Sequence, residues 1–256
     1  MIRALALILL PTLMLGLPAQ SEEVVAGLSQ NRVSITANFD GSEILIFGAV
    51  KREVPIPTEG GPLQVVITVA GPSVPVTVRR KERRYGIWIN TDAVEVDEAP
   101  SFYKVATSGP FNEVVKDIED LRYRISIERA IRSVGAPMSV TNAESFTEAL
   151  IRVRKRNRLY QEQPYTVIVN EQTLFRTAVA LPANLTEGDY VARIFLTRGG
   201  DVIDEYSTMI SVKKAGLERF LFNLAQEQPL AYGILSLTIA IVAGWMASAV
   251  FRYIRT

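Results

Sequence analysis

The run LPANLTEGDY at residues 181–190 leads into Ala192, Ile194 and Leu196, three apolar side chains at alternate positions. Alternation with period two marks a strand that buries one face. The Pro, Asn and Gly before it supply a corner. Tyr190 stands where a tyrosine corner puts the ring that opens a penultimate strand and returns its hydroxyl to the corner backbone. Gly199-Gly200-Asp201 then turns the chain into a last strand over 202–212.

Working outward, Val33, Ile35, Ala37 and Phe39 alternate with polar residues, Asp40-Gly41 closes that strand, and 44–50 reads as the strand returning beside it. Further strands are expected at 63–70, 74–79, 85–89, 102–106, 165–169 and 174–181, with Gly60-Gly61-Pro62 and Gly71-Pro72 as punctuation. Helical spacing interrupts them. Phe111, Val114, Val115, Ile118 and Leu121 follow Ser108-Gly109-Pro110, and Thr141 with Glu144 forms a capping-box pattern ahead of Phe146, Leu150 and Val153. The fold class expected is mainly β, an immunoglobulin-like antiparallel β-sandwich with a helical insert at 107–164, although the Cys-Trp-Cys framework of antibody domains is missing. Only about four strands follow the insert, too few to close a sandwich alone. One body over 20–215 is therefore expected, with two separate β domains as the alternative.

Both ends are apolar. A single Arg3 precedes the apolar run 4–17 and the small Ala19, the layout of a signal peptide over 1–19; an uncleaved anchor is the alternative, and either exports the body. Residues 230–251 hold 22 positions without a charge, enough for roughly 33 Å of helix across a bilayer. The tail 252–256 carries Arg252 and Arg255 and no acid, which places it in the cytoplasm and the body in the periplasm. Between body and span, 216–228 carries Leu217, Phe220, Leu221 and Leu224 as an amphipathic stripe suited to the membrane surface.

The 28 basic and 27 acidic residues leave a net charge of +1, so no overall field points to nucleic acid. Neither His nor Cys occurs, which removes the commonest general base, the usual zinc ligands and disulfides. Only carboxylate or Ser-Lys chemistry would remain for an enzyme. No catalytic residue, cofactor site or metal site is assigned; Asp201, Asp204 and Glu205 crowd one hairpin but lack the spacing of a calcium loop. Two candidate surfaces emerge. Ser236, Ala240, Gly244 and Ser248 recur every fourth residue within the span, a small-residue face for helix packing. Arg79, Arg80, Lys81, Arg83 and Arg84 put five cations into six positions, a patch for an anion, headgroups or an acidic partner, with a solvated hairpin turn as the plainer explanation.

Val33 to Phe39 with Phe47-Gly48-Ala49, the 181–190 corner, and Gly216-Leu217-Glu218-Arg219-Phe220-Leu221 ahead of Ala243-Gly244-Trp245 resemble an alphaproteobacterial transmembrane protein family of unknown function. The resemblance spans nearly the whole exported chain and implies a Gram-negative inner membrane and genes neighbouring permeases similar to sulfite exporters. It brings no catalytic residues. The function expected is that of a non-enzymatic accessory or interaction protein, anchored by one helix and partnered by a membrane protein or by itself. A periplasmic small-anion binding module is the second expectation, and a carboxylate-only membrane enzyme the third.

Overall fold

The computed structural model describes residues 22–36, 38–53, 55–57, 60–133, 142, 144–214 and 216–254. The expected signal peptide lies outside them, as do Ala37, Thr141 and Arg255. Seven strands come first: β1 (Glu23–Leu28), β2 (Arg32–Ile35), β3 (Gly41–Lys51), β4 (Leu63–Ala70), β5 (Ser73–Arg84), β6 (Ile87–Pro100) and β7 (Tyr103–Thr107). Helices α1 (Phe111–Val114), α2 (Asp117–Tyr123), α3 (Ile127–Ala130) and α4 (Glu144–Arg156) follow. Then come β8 (Tyr160–Gln163), β9 (Ile168–Asn170), β10 (Leu174–Pro182), β11 (Gly188–Arg198) and β12 (Asp201–Lys214), with α5 (Leu217–Glu227) and α6 (Pro229–Ile254) last. The chain is mainly β.

Four strands form one sheet in the order β1-β3-β10-β9, and six form another in the order β2-β12-β11-β4-β7-β8. Pairing is antiparallel except at the two edges of the larger sheet, where β2 runs parallel to β12 and β8 to β7. Strands from before and after α1–α4 are direct neighbours, β3 with β10 and β4 with β11, and their buried side chains belong to one hydrophobic cluster. Ile44, Ile46, Phe175 and Val179 from the small sheet meet Val65, Ile67, Ala192 and Ile194 from the large one there. Tyr190 is fully buried and its hydroxyl donates to the carbonyl of Thr186 at 2.9 Å, the corner bond its position predicts. Gly199 and Gly200, with φ of 57° and 87°, make the tight turn into β12.

Several expectations need correcting. β3 is not the return of β2: both its edges are taken, by β1 and β10, so β2 pairs with β12 instead. β1 and β8 are additional strands. The segments 74–79 and 85–89 are parts of one long ribbon, β5 with β6, whose turn is Tyr85-Gly86. The first helix breaks in two because the N–H of Lys116 donates to the carbonyl of Gly200 at 2.9 Å and so leaves the helical ladder. Its buried side is also different: Ile118 and Leu121 are exposed, whereas Glu119 and Asp120 are buried. Asp120 accepts from the N–H groups of Ile125 and Ser126 at 3.0 and 2.7 Å, which satisfies a carboxylate that would otherwise be costly to bury. On α4, Ile151 is buried in place of the expected Val153.

The outer face of the large sheet is covered as well. Phe195, on the side of β11 away from the small sheet, meets Tyr123 of α2 edge-on at 5.7 Å, and Arg193 donates to the carbonyls of Tyr123 and Arg124. Replacing Tyr190 with Phe removes the corner bond and orphans the Thr186 carbonyl. The expected cost is about 1 kcal/mol, or a fall in melting temperature of roughly 2–4 °C, read by circular dichroism on the detergent-solubilised chain.

Candidate functional site

The helix α6 contains a segment, Pro229–Val250, of 22 residues with mean hydropathy 1.9, long and apolar enough to cross a membrane. Among the described residues nothing buries it. Apolar side chains surround it, including Leu237, Ile241, Trp245 and Met246, as a helix in lipid requires. Ser236, Ala240, Gly244 and Ser248 are all exposed along it, and a side chain added at Gly244 would meet nothing within 4 Å. Thr238 returns its hydroxyl to the carbonyl of Ile234 at 2.8 Å, so its polar group is already satisfied inside the helix.

The basic run lies in the outer half of β5 rather than in the turn itself. Alternation divides it between two faces. Arg80 and Arg84 share one: Arg80 donates to Ser145 at 2.8 Å, covers the Phe146 ring at 4.7 Å and approaches Asp92 at 3.9 Å, while Arg84 pairs with Glu82 at 3.3 Å. Arg79, Lys81 and Arg83 share the other, where Ala93, Asn90 and Trp88 stand directly across from them and Glu95 lies one pair further in. The side chains of the five therefore leave the strand in two directions. A shallow groove between β5 and α4 is lined by residues of both, with Arg79, Arg80 and Lys81 from the strand and Phe146, Glu148 and Arg152 from the helix, so a carboxylate sits among its cations.

Charged side chains of α4 and β12 also tie parts of the fold together. Lys155 pairs with Glu162 at 3.4 Å, and Arg154 donates to the carbonyl of Ser101 at 3.2 Å. Asp201 takes Lys116 at 2.7 Å, Asp204 accepts from the N–H of Val24 at 2.7 Å, and Glu205 lies 4.0 Å from Arg193. Those three carboxylates have separate partners.

One charged cluster escaped the sequence reading. Glu22, 5% exposed, accepts from Arg198 through both oxygens at 3.0 Å and from Arg52. Arg52 also donates to the carbonyl of Gln172, and Arg198 to that of Gly61 at 2.6 Å. Burial alone would push the Glu22 carboxyl up, but the hydrogen bonds and charges of Arg52 and Arg198 outweigh it and hold the group below its ordinary value of 4.5. The cluster ties the start of β1 to the end of β11. Residues 176 positions apart meet in it, a distance over which no local pattern carries a signal.

The family described as "Putative transmembrane protein (Alph_Pro_TM)" matches residues 23–253. The chain belongs to this family. Membership of a transmembrane family accords with α6, and the match runs through the whole β body as well as the span. No curated protein matches the chain.

Glu22→Gln leaves two buried guanidinium groups without their counter-charge. The expected cost is about 3 kcal/mol, or roughly 10 °C in melting temperature. Because the folded carboxyl titrates below the unfolded one, its stabilisation is complete above about pH 4.5 and is lost as pH falls through the lower folded value. Acid titration of stability followed by far-ultraviolet circular dichroism should show this component in the native chain and not in the variant.

Proposed function

We propose that this chain is a non-enzymatic accessory protein of the inner membrane of a Gram-negative bacterium, held by one C-terminal helix and partnered by another membrane protein through it. The observation that carries the reading is the exposed small-residue face of α6, on a span that nothing covers among the described residues. In lipid no hydrophobic gain draws helices together, so close packing at small residues is a principal source of specific association. The family resemblance supports a permease similar to sulfite exporters as the partner.

The proposed layout is a signal peptide over 1–19, a periplasmic body over 20–215 with its helical insert at 107–164, a surface helix over 216–228, the span and a cytoplasmic tail. Phe220 of the apolar stripe is exposed on α5, which supports its lying against the bilayer. For the body we infer an immunoglobulin-like arrangement. The order β1-β3-β10-β9 opposite β12-β11-β4 follows the ABED and GFC sheets of that fold, and the Tyr190 corner supports the same reading.

Two measurements test the proposal. A phosphatase fused after Thr256 should be inactive and a fluorescent protein at that site bright; the opposite pattern would reverse the topology. Mild-detergent purification of the full chain should recover a membrane partner, and Gly244→Ile should reduce that recovery at least tenfold, while Val242→Leu on the far side of the helix leaves it unchanged. Equal recovery from all three chains would remove the small-residue face from the interface.

A further inference from the structure

We propose that the β5–β6 ribbon is a second membrane contact, laying Arg79, Lys81 and Arg83 on anionic phospholipid headgroups and seating Tyr85 and Trp88 in the interfacial layer. This rests on the anchored reading above. β4 pairs with β7 so that Ala70 faces Tyr103, and β5 pairs with β6 so that Ser73 faces Pro100 and Val74 faces Ala99. The register does not change across the junction, where the N–H of Gly71 donates to the carbonyl of Phe102 and that of Ser101 to the carbonyl of Pro72. The ribbon is therefore a prolongation of two strands of the large sheet beyond the sandwich, through a bend at Ser101-Phe102.

It leaves from the end that also sends the chain to the membrane. Ala70 faces Val191 on β11, and Gly188 faces Val212 on β12, two residues before that strand ends and α5 follows. Pro72 packs against Gly188 at this end, and Gly71 has no room for a side chain beside Ser101 and the Tyr190 ring. The 12 residues of β5 reach about 40 Å from there.

The ribbon is two-sided in a way its own fold does not need. Val94 and Val96 are fully buried, and Arg80 fastens the ribbon to Ser145 and Phe146 of α4. On the opposite face Arg79, Lys81 and Arg83 follow at every second position, about 7 Å apart. Trp88 lies directly across from Arg83, 67% exposed, and Tyr85 at the turn is fully exposed. Cations beside Trp and Tyr at a tip are the composition that settles at a bilayer surface of opposite charge. Since α6 fixes the chain to that bilayer, the contact is intramolecular and needs little affinity of its own.

The test uses the full chain with Trp245→Phe, so that Trp88 alone fluoresces, reconstituted in vesicles of phosphatidylcholine or of phosphatidylcholine mixed with phosphatidylglycerol. Lipid spin-labelled near the headgroup should quench Trp88 in the anionic vesicles and little in the neutral ones. Neutralising Arg79, Lys81 and Arg83 to Gln should lower the docked-to-undocked ratio roughly fivefold for each charge, and on the order of a hundredfold together. Absence of quenching in both vesicles, or equal quenching that survives the triple substitution, overturns the proposal. So does a Trp88 shift produced by inorganic phosphate over neutral vesicles, which would assign the face to a soluble anion. The companion chain with Trp88→Phe reports from Trp245. Quenching there by acyl-chain spin label with none at Trp88 rejects the ribbon contact alone, whereas no quenching at Trp245 rejects the anchoring itself.

Discussion

Strands β4 and β11 lie side by side at the centre of the larger sheet and are dry on both faces, and the rest of the body is arranged around that burial. On one side Ile67 and Ile194 meet the four-stranded sheet; on the other Val66 and Phe195 lie under the helical segment. Such a pair cannot face water on either side, because each apolar side chain withdrawn from solvent contributes about 1.5–3 kcal/mol that exposure would forfeit. The helices between β7 and β8 are thus a second cover for the sheet. This accounts for the broken first helix. Its role is to hold Val114 and Val115 against the body and to offer carboxylates to a tight turn, and both geometries override an unbroken helical repeat.

The two ends of the sandwich differ in character. At one, Glu22 is held between Arg52 and Arg198, so the first described residues are fixed by buried charge far from the point where β12 leaves for the membrane. At the other, the Tyr190 corner, the base of the β5–β6 ribbon and the last residues of β12 come together. Whatever acts on the ribbon is therefore close, along the backbone and through packed side chains, to the segment that enters the bilayer. Phe102, Tyr190 and the Gly71 backbone are packed at this corner without room for a side chain on Gly71.

The charged patches show how composition and geometry part company. Five cations within six positions suggest one strong anion site, yet a strand sends neighbours to opposite faces, and two of the five acquire partners within the chain. What remains is a line of three along one face of the ribbon, with Glu95 at its inner end, a form suited to a flat charged surface. The small-residue face of α6 is the converse case: its spacing is fixed by the helical period alone, so the sequence defines it completely.

By itself the sequence determined what depends on neighbours a few residues apart. The span and its charge-free length, the alternation in β10, β11 and β12, the glycine turn at Gly199-Gly200 and the tyrosine corner all rest on local periods and local backbone preferences. Tertiary structure decided which strand lies beside which. The partner of β2, the prolongation of β4 and β7 into the ribbon, and the meeting of Glu22 with Arg198 bring together positions that share no local pattern, because pairing and burial are chosen by the whole core at once. The exposure of Ile118 and Leu121 alongside buried Glu119 and Asp120 has the same origin: apolar spacing says that a helix can bury a face, and only the surface it meets says which.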